Sequence, residues 1–551
     1  MSRRESPCRI CFRGIYSCHW RRARRSEPKC PCCWFTALSV AAVLTLIWMY
    51  ICFVAFNDQN DVNWKGFKIL GMWVDWYFIL IILSAVLASY CLLLLLFALF
   101  QLALREPLDL HWLHKVLLFL GSVIVVLGIV GIIFQWKEVL PTIPLSLQAT
   151  APFLHLGVIV ALTLISWLVF RSYHRAKRTV SKVLIMVAFI GVSVAVFLCP
   201  LLIRSPCLID TLPQKPALVG HRGAPMLAPE NTMMSFRKSM ECDVTAFETD
   251  VLLSKDNVSF LMHDHDSKFL RRTTNIGLNE SGESTDYYWR DLKKLNAGEW
   301  FLKMDPFRSL SSLSEADKDE ARNQIIPSLN DLLNLAKNNN ISLIFDMKNA
   351  TENNSHVHHT VQTILDSNIS QDLIWWLPPV DRDHVKIAAP GFRQVYTNVS
   401  QMEVSGGNFL NMKYSALSTE EIRNLRSRNI SVNLWTVNER WLFSLAWCSG
   451  VSSVTTNACH LLKDMSKPDW HLRPTLYRNI WISADIVSLL FMCIFFLLQW
   501  SLDSSIKSQQ SPLMTERASR RLRAMKKGTG SALLPPLDDT MYCLPSHQPL
   551  E

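Results

Sequence analysis

Apolar and polar positions divide the chain into two kinds of pattern. Unbroken apolar runs occupy residues 34–56, 77–103, 116–134, 147–170 and 183–203, and a sixth stands apart at 480–500. Each approaches the ~20 residues that a helix needs to cross a bilayer. Between the fifth run and the sixth, short apolar segments alternate with amphipathic ones. Strands are predicted at 217–220, 246–252, 259–263, 342–347, 373–377, 394–396, 431–435 and 453–456, and helices at 232–241, 329–338, 357–367, 419–427 and 438–448. Strand–helix alternation over about 250 residues is the pattern of a (β/α)₈ TIM barrel. A polar stretch at 267–324 interrupts it. The expected fold class is a multi-span α-helical membrane protein with an extracytoplasmic α/β barrel. Its parts are tails at 1–33 and 501–551, spans within 34–203 and 480–500, and a barrel domain at 204–479 with its core at 215–464.

Charge turns this picture into a topology. A net charge of +10 over 551 residues would suit a nucleic-acid binder, but Arg and Lys crowd the first 29 residues, 171–182 and 517–527, all beside apolar runs. There they read as orientation signals, and nucleic acid drops out as a partner. Arg21, Arg22, Arg24, Arg25 and Lys29 precede the first run, Arg105 follows the second, and Arg171, Arg175, Lys177 and Arg178 follow the fourth. The connections at 57–75 and 135–144 are mixed or acidic. Positive-inside bias therefore places both termini in the cytosol and the barrel outside, with the plasma membrane as the expected location. Trp34, Trp64, Trp73, Trp76, Trp136 and Trp481 fall where an aromatic belt meets the interfaces. No cleavable signal peptide is expected, because the first apolar run starts late and lacks a small-residue exit.

Eight Asn-x-Ser/Thr sequons, at Asn257, Asn279, Asn340, Asn349, Asn353, Asn368, Asn398 and Asn429, all lie in the barrel region. Such acceptors are used only on the lumenal side, which agrees with the charge. Cys207, Cys242, Cys448 and Cys459 face the same oxidising side, and four cysteines allow three pairings. The N-terminal tail holds Cys8, Cys11, Cys18, Cys30, Cys32 and Cys33. Lipid acylation, inert thiols and a zinc site at Cys8 and Cys11 are all open readings there.

The chemistry gathers at predicted strand ends. Three apolar residues run through Gly220 into His221-Arg222-Gly223, a tight loop presenting an imidazole and a guanidinium together, with Pro229-Glu230-Asn231-Thr232 shortly after. Glu248 and Asp250 sit at i and i+2, hence on one face of a strand. Crowded carboxylates repel, and a divalent cation, Ca²⁺ or Mg²⁺, gives them a reason to gather. Asp346 is the candidate third ligand. Another strand runs into His263, and the two imidazoles divide into general acid and base. Arg222 and Lys348 would stabilise phosphoryl oxygens. Glu230 and Asn231 would shape the loop and orient His221 or the metal, with helix capping as the other reading for Asn231. His356, His358 and His359 read as structural.

These segments resemble the glycerophosphodiester phosphodiesterase family. The resemblance rests on His221-Arg222-Gly223, Pro229-Glu230-Asn231-Thr232, Glu248-Thr249-Asp250, His263-Asp264 with Arg272-Thr273-Thr274, and Leu434-Trp435-Thr436-Val437-Asn438, in that order. The flanking runs look like the six-span animal members, the glycerophosphodiester phosphodiesterase domain-containing proteins. The resemblance implies attack by the glycerol 2-hydroxyl, a cyclic phosphate that water opens, and an insertion that covers part of the site. It also implies that Trp435 walls the glycerol side, core packing being the rival role. The chain departs from the family in having Asp346 for the usual Glu, Asn457 for the usual Asp, and three extra residues between His263-Asp264 and Arg272. The implied substrate is a water-soluble diester of the glycerophosphoinositol or glycerophosphocholine type. Release of glycosylphosphatidylinositol-anchored proteins is an alternative activity. A non-catalytic receptor or scaffold is the alternative class, disfavoured by the intact histidines, Arg222 and carboxylate pair. A transporter is disfavoured because the spans hold almost no acidic residues.

Overall fold

The computed structural model describes residues 14–18, 31–104, 108–135, 140–277, 282–347 and 355–525. Outside the barrel its helices are α1 (Pro31–Val54), α2 (Gln59–Leu70), α3 (Trp76–Leu104), α4 (Trp112–Gln135), α5 (Thr142–Arg175), α6 (Thr179–Leu198) and α7 (Pro474–Met525). Six helical stretches are long and apolar enough to cross a membrane, the first running from Cys33 through α1 and α2 to Leu70. At most 39% of any of their apolar windows is buried, and only 11% in the last two. Residues such as Leu83, Leu127 and Leu164 thus point away from the protein, as side chains solvated by hydrocarbon do. Several polar groups between the helices pair with one another. Trp48 Nε1 donates to Ser84 Oγ at 2.9 Å, and the hydroxyls of Tyr50 and Ser146 lie 2.8 Å apart.

Nine strands follow: β1 (Ala217–His221), β2 (Ala246–Leu253), β3 (Ser259–Leu261), β4 (Ser342–Asp346), β5 (Ile374–Trp376), β6 (Arg393–Gln394), β7 (Phe409–Lys413), β8 (Ser431–Trp435) and β9 (Ser453–Thr456). All but β3 run parallel, in the order β6-β5-β4-β2-β1-β9-β8-β7. Just past β6, Tyr396 donates its N–H to Phe409 O at 3.0 Å and accepts from Asn411 N–H at 2.8 Å, bridging β6 toward β7 and nearly closing a TIM barrel.

Two expectations about strands need correction. The segment at 259–263 is not a barrel strand. β3 pairs antiparallel with β2, Val251 opposite Leu261. The five residues between them cannot hold the crossover that a parallel neighbour requires. The eighth barrel strand is β7, which the pattern concealed because the polar Asn411 stands at its centre, buried in the barrel. There Asn433 Nδ2 donates to Asn411 Oδ1 at 2.7 Å and to Thr455 Oγ1 at 2.8 Å.

The core lies between strands and helices. Phe247, Phe345, Val432 and Val454 are fully buried against the helical layer, which leaves the alternate residues Glu248 and Asp250 for the barrel interior. Thr232, Ser328 and Ser418 cap three barrel helices by accepting N–H bonds, so local sequence starts each where it starts. Of the three possible cysteine pairings the fold makes Cys207–Cys448 and Cys242–Cys459. These tie the barrel's entry segment to Arg440–Ser449, and its first helix to its last.

The connection at 57–75, expected as a plain loop, is mostly helix. α2 ends on Gly71, whose φ of 71° provides a left-handed cap. It packs on the barrel. Trp64 meets Phe269 edge-on at 5.4 Å, and Arg308 donates to Asp75 from two nitrogens at 2.7 and 2.8 Å.

Candidate active site

The loop after β1 is shaped by its backbone. Arg222 and Gly223 take φ of 54° and 87°, and a Cβ on Gly223 would stand 2.5 Å from the Ser235 backbone, so only glycine fits. This turn brings Arg222 N–H to the Glu248 side chain (3.1 Å) and backbone (2.9 Å). The guanidinium faces two carboxylates, with Nε 3.1 Å from Asp250 and Nη1 3.3 Å from Glu230. Burial lowers its proton affinity, but Asp250, Glu230, Glu248 and Asp61 together outweigh burial and hold Arg222 firmly charged.

The two histidines sit in unlike surroundings. His221 Nδ1 lies 2.6 Å from Asn457 Oδ1, with Nε2 3.8 Å from Glu248. Burial, then the Arg222 charge, push its pKa down to about 3 against the opposing pull of Asn457 and Asp250, so the ring is neutral. His263, delivered by the β2–β3 hairpin, has Nδ1 3.0 Å from Asp264. Burial favours protonation of Asp264, but His263, Lys68 and Arg222 prevail and hold it down to about 2.

Asn231 does not cap the following helix; Thr232 does. Instead Asn231 Nδ2 donates to Asp250 at 2.9 Å while its Oδ1 accepts from Thr249 at 3.0 Å. Glu230 links Arg222 to Arg272, 3.6 Å away, and touches neither His221 nor the metal candidates directly among the described residues. Arg272 is enclosed by aromatic faces, 4.6 Å from Trp64 and 4.8 Å from Trp300. Burial pushes its pKa down to about 10.

The sequence profile of the Glycerophosphoryl diester phosphodiesterase family matches residues 221–373. The chain is 44% identical over 503 residues to the mouse (Mus musculus) glycerophosphoinositol inositolphosphodiesterase GDPD2, covering 89% of this chain and 93% of that protein. The chain belongs to the glycerophosphodiester phosphodiesterase family. It is also 39% identical over 546 residues to glycerophosphodiester phosphodiesterase domain-containing protein 5 of Gallus gallus, covering 94% and 90% of the two chains. A solved phosphodiesterase from Oleispira antarctica, in complex with sn-glycerol-3-phosphate, aligns at a TM-score of 0.37 and 20% identity over 45% of this chain and 95% of that one.

As a glycerophosphodiester phosphodiesterase, the enzyme has the donors for the divalent cation on which the family generally depends. Glu248, Asp250 and Asp346 bring ligand oxygens within 4.8 Å of one another. The parallel register sets Asp250 directly beside Asp346. All three line a cavity of about 340 Å³ together with His221, Arg222 and His263. Trp435, 39% exposed, lines it too, which removes core packing as its role. Lys348, Asn279, Asn349 and Asn353 lie outside the described residues.

Sequence reasoning missed one wall. Asn60, Asp61 and Trp64 of α2 line the same cavity. The available signal was composition: Asp58, Asn60, Asp61, Asn63 and Trp64 are more hydrogen-bonding groups than a bare connector needs.

Proposed function

We propose that the enzyme hydrolyses small water-soluble glycerophosphodiesters, of the glycerophosphoinositol or glycerophosphocholine type, at a barrel held outside the cell by six membrane spans. The convergence of His221, His263 and Arg222 with the carboxylates of Glu248, Asp250 and Asp346 in one cavity of about 340 Å³ carries the reading. The activity named for the mouse relative makes glycerophosphoinositol the first substrate to try.

In this reading neutral His221 accepts the proton of the attacking oxygen, a glycerol 2-hydroxyl or water. His263, oriented by Asp264, protonates the leaving alkoxide. Arg222 meets the phosphoryl oxygens with charge that its carboxylate neighbours have already oriented, so little reorganisation is needed. Trp435 walls the glycerol side, and Lys348, outside the described residues, is the further cation proposed for the phosphoryl oxygens. Glu248, Asp250 and Asp346 would hold a divalent cation, Ca²⁺ or Mg²⁺, which would supply further positive charge against the phosphate. Glu230 and Asn231 hold Arg222 and Asp250 in place.

Orientation is supported by charge bias, by two disulfides and by sequon exposure. Disulfides persist in oxidising compartments. Asn257, Asn340, Asn368, Asn398 and Asn429 are all exposed, as glycan acceptors must be. With both termini cytosolic, the plasma membrane is the proposed site. A cavity this small favours free diesters over the release of lipid-anchored proteins.

The test is an assay of the full-length protein in detergent against glycerophosphoinositol and glycerophosphocholine, with Ca²⁺, Mg²⁺ or chelator. Metal-dependent release of product is expected. His221→Ala and His263→Ala should each lower turnover about 10²–10⁴-fold. Normal turnover by either folded variant would overturn the assignment.

A further inference from the structure

The turn joining α1 to α2 reaches the catalytic imidazole through a chain of hydrogen bonds. Asn57, 3% exposed, belongs to the 3₁₀ turn Ala55–Asp58 at the end of α1. Its Nδ2 donates to Thr436 O at 2.9 Å, and its Oδ1 accepts from Asn438 N–H at 2.8 Å. Its backbone oxygen accepts from Asn438 Nδ2 at 3.0 Å. Asn438 Oδ1 in turn accepts the Asn457 N–H at 2.9 Å. Asn457 Oδ1 then accepts from His221 Nδ1 at 2.6 Å. Every asparagine in this chain is buried.

We propose that Asn57 is a positioning residue for catalysis: through Asn438 and Asn457, the end of the first apolar helix sets the orientation and tautomer of His221. The inference rests on His221 accepting a proton in the reaction. An amide oxygen only accepts, so the bond to Asn457 keeps the proton on Nδ1 and leaves the Nε2 lone pair for the cavity. The chain has no slack. Both polar groups of the Asn57 side chain, and the N–H, Nδ2 and Oδ1 of Asn438, are already engaged. Turning either amide strands a buried hydrogen-bonding group, which is unfavourable. Because the links are neutral amides, the chain orients the imidazole without adding charge beside the carboxylates.

Holding the barrel against the apolar helices is a separate matter. The Tyr414 hydroxyl donates to Asp58 and lies 3.0 Å from Thr142 Oγ1, and Arg308 pairs with Asp75. The Arg308–Asp75 pair stands apart from the chain to His221, whereas Asp58 also accepts from Asn57 Nδ2 at 3.2 Å. Docking through Arg308 can therefore be cut independently of positioning.

The experiment compares full-length variants in detergent, each checked for folded yield by size exclusion. Asn57→Ala should lower kcat roughly 10- to 100-fold, since misplacing a reacting group by about an ångström costs on the order of 10²-fold. KM should change by less than about threefold, because Asn57 does not touch substrate. Asn57→Asp keeps the acceptor for Asn438 N–H and should recover part of the loss. The Asn57→Ala/Asn457→Ala pair should be no worse than Asn457→Ala alone, as groups acting through one another are non-additive. Arg308→Gln, which cuts a docking contact outside the chain, should leave kcat unchanged. If Asn57→Ala does not accumulate as folded protein, Asn438→Ala breaks the same chain from the barrel side and should show the same kcat loss. Wild-type kcat in either folded variant, losses that multiply in the double variant, or an equal loss in Arg308→Gln would overturn the proposal. Normal turnover by His221→Ala would instead remove the acid–base reading beneath it.

Discussion

The candidate active-site cavity has two walls of different origin. One is built from the C-terminal ends of parallel strands and the β2–β3 hairpin. Its charges interlock: Arg222 with Asp250 and Glu230, Glu248 with the Arg222 N–H, Asp264 with His263. The other is α2, a short helix between two apolar ones. Its Asp61 stands exposed at the cavity and its Trp64 is half-buried. Few contacts fasten α2 to the barrel, such as Lys68 at 3.7 Å from Asp264. The difference separates chemistry from shape. Groups that must hold an ångström-scale arrangement sit on strands whose registry is set by many backbone bonds. Groups that frame the mouth sit on a separate element, which can vary without rebuilding the barrel.

The largest expected effect lies on the strand wall. Asp250→Ala removes a metal-candidate carboxylate and the partner of both Arg222 and Asn231. Activity should fall by at least about 10²–10³-fold, as when a principal electrostatic group is lost. Excess chelator should do the same to the unaltered enzyme, reversibly on adding Ca²⁺ or Mg²⁺. Asp346→Glu, the family's usual residue, should keep or raise activity. Full activity in chelator would take the carboxylates out of metal binding and blur the contrast between the walls.

A smaller effect is expected on the helical wall. Trp64→Ala removes a face from the Arg272 guanidinium and part of the cavity lining. A stacked cation–π contact is worth up to about 2 kcal/mol, so kcat/KM should drop about tenfold, mostly through KM. A kcat loss as large as that of Asp250→Ala, measured on equally folded protein, would show that α2 shares the chemistry.

Acid gives the mildest discrimination, because buried neutral imidazoles lie in the barrel and α2 holds no histidine. Burial, with His359 adding to it, holds His356 down to about 4, and burial lowers His460 as well. Unfolded imidazoles titrate near 6.5. Between about pH 6.5 and 4 the unfolded chain binds more protons, so stability is full above that window and falls as pH drops through it. The thermal midpoint should follow this course, and His356→Gln should flatten it. An unchanged slope in that variant would place the sensitivity elsewhere.

Much of the site was legible in order along the chain. Spacing alone put Glu248 and Asp250 on one strand face, because side chains alternate whatever the strand pairs with. The run into His221-Arg222-Gly223 signalled a turn that glycine permits. Patterning went wrong where two elements share one appearance. The apolar segment ending at His263 looked like a barrel strand and is half of a hairpin. β7 hid its place because a buried polar layer, Asn411 with Asn433 and Thr455, replaced the usual apolar alternation.

By itself the sequence determined the apolar helices and the barrel class and nominated most of the candidate site residues, because each rests on local periodicity or on residues close in order. Only the tertiary structure decided which cysteines pair, at separations of 241 and 217 residues. It alone brought Asn57 to Thr436 across 379 residues, and α2 onto the cavity. Such contacts depend on which surfaces meet once the chain has closed its loops, and closure is governed by the packing of the whole rather than by any local pattern.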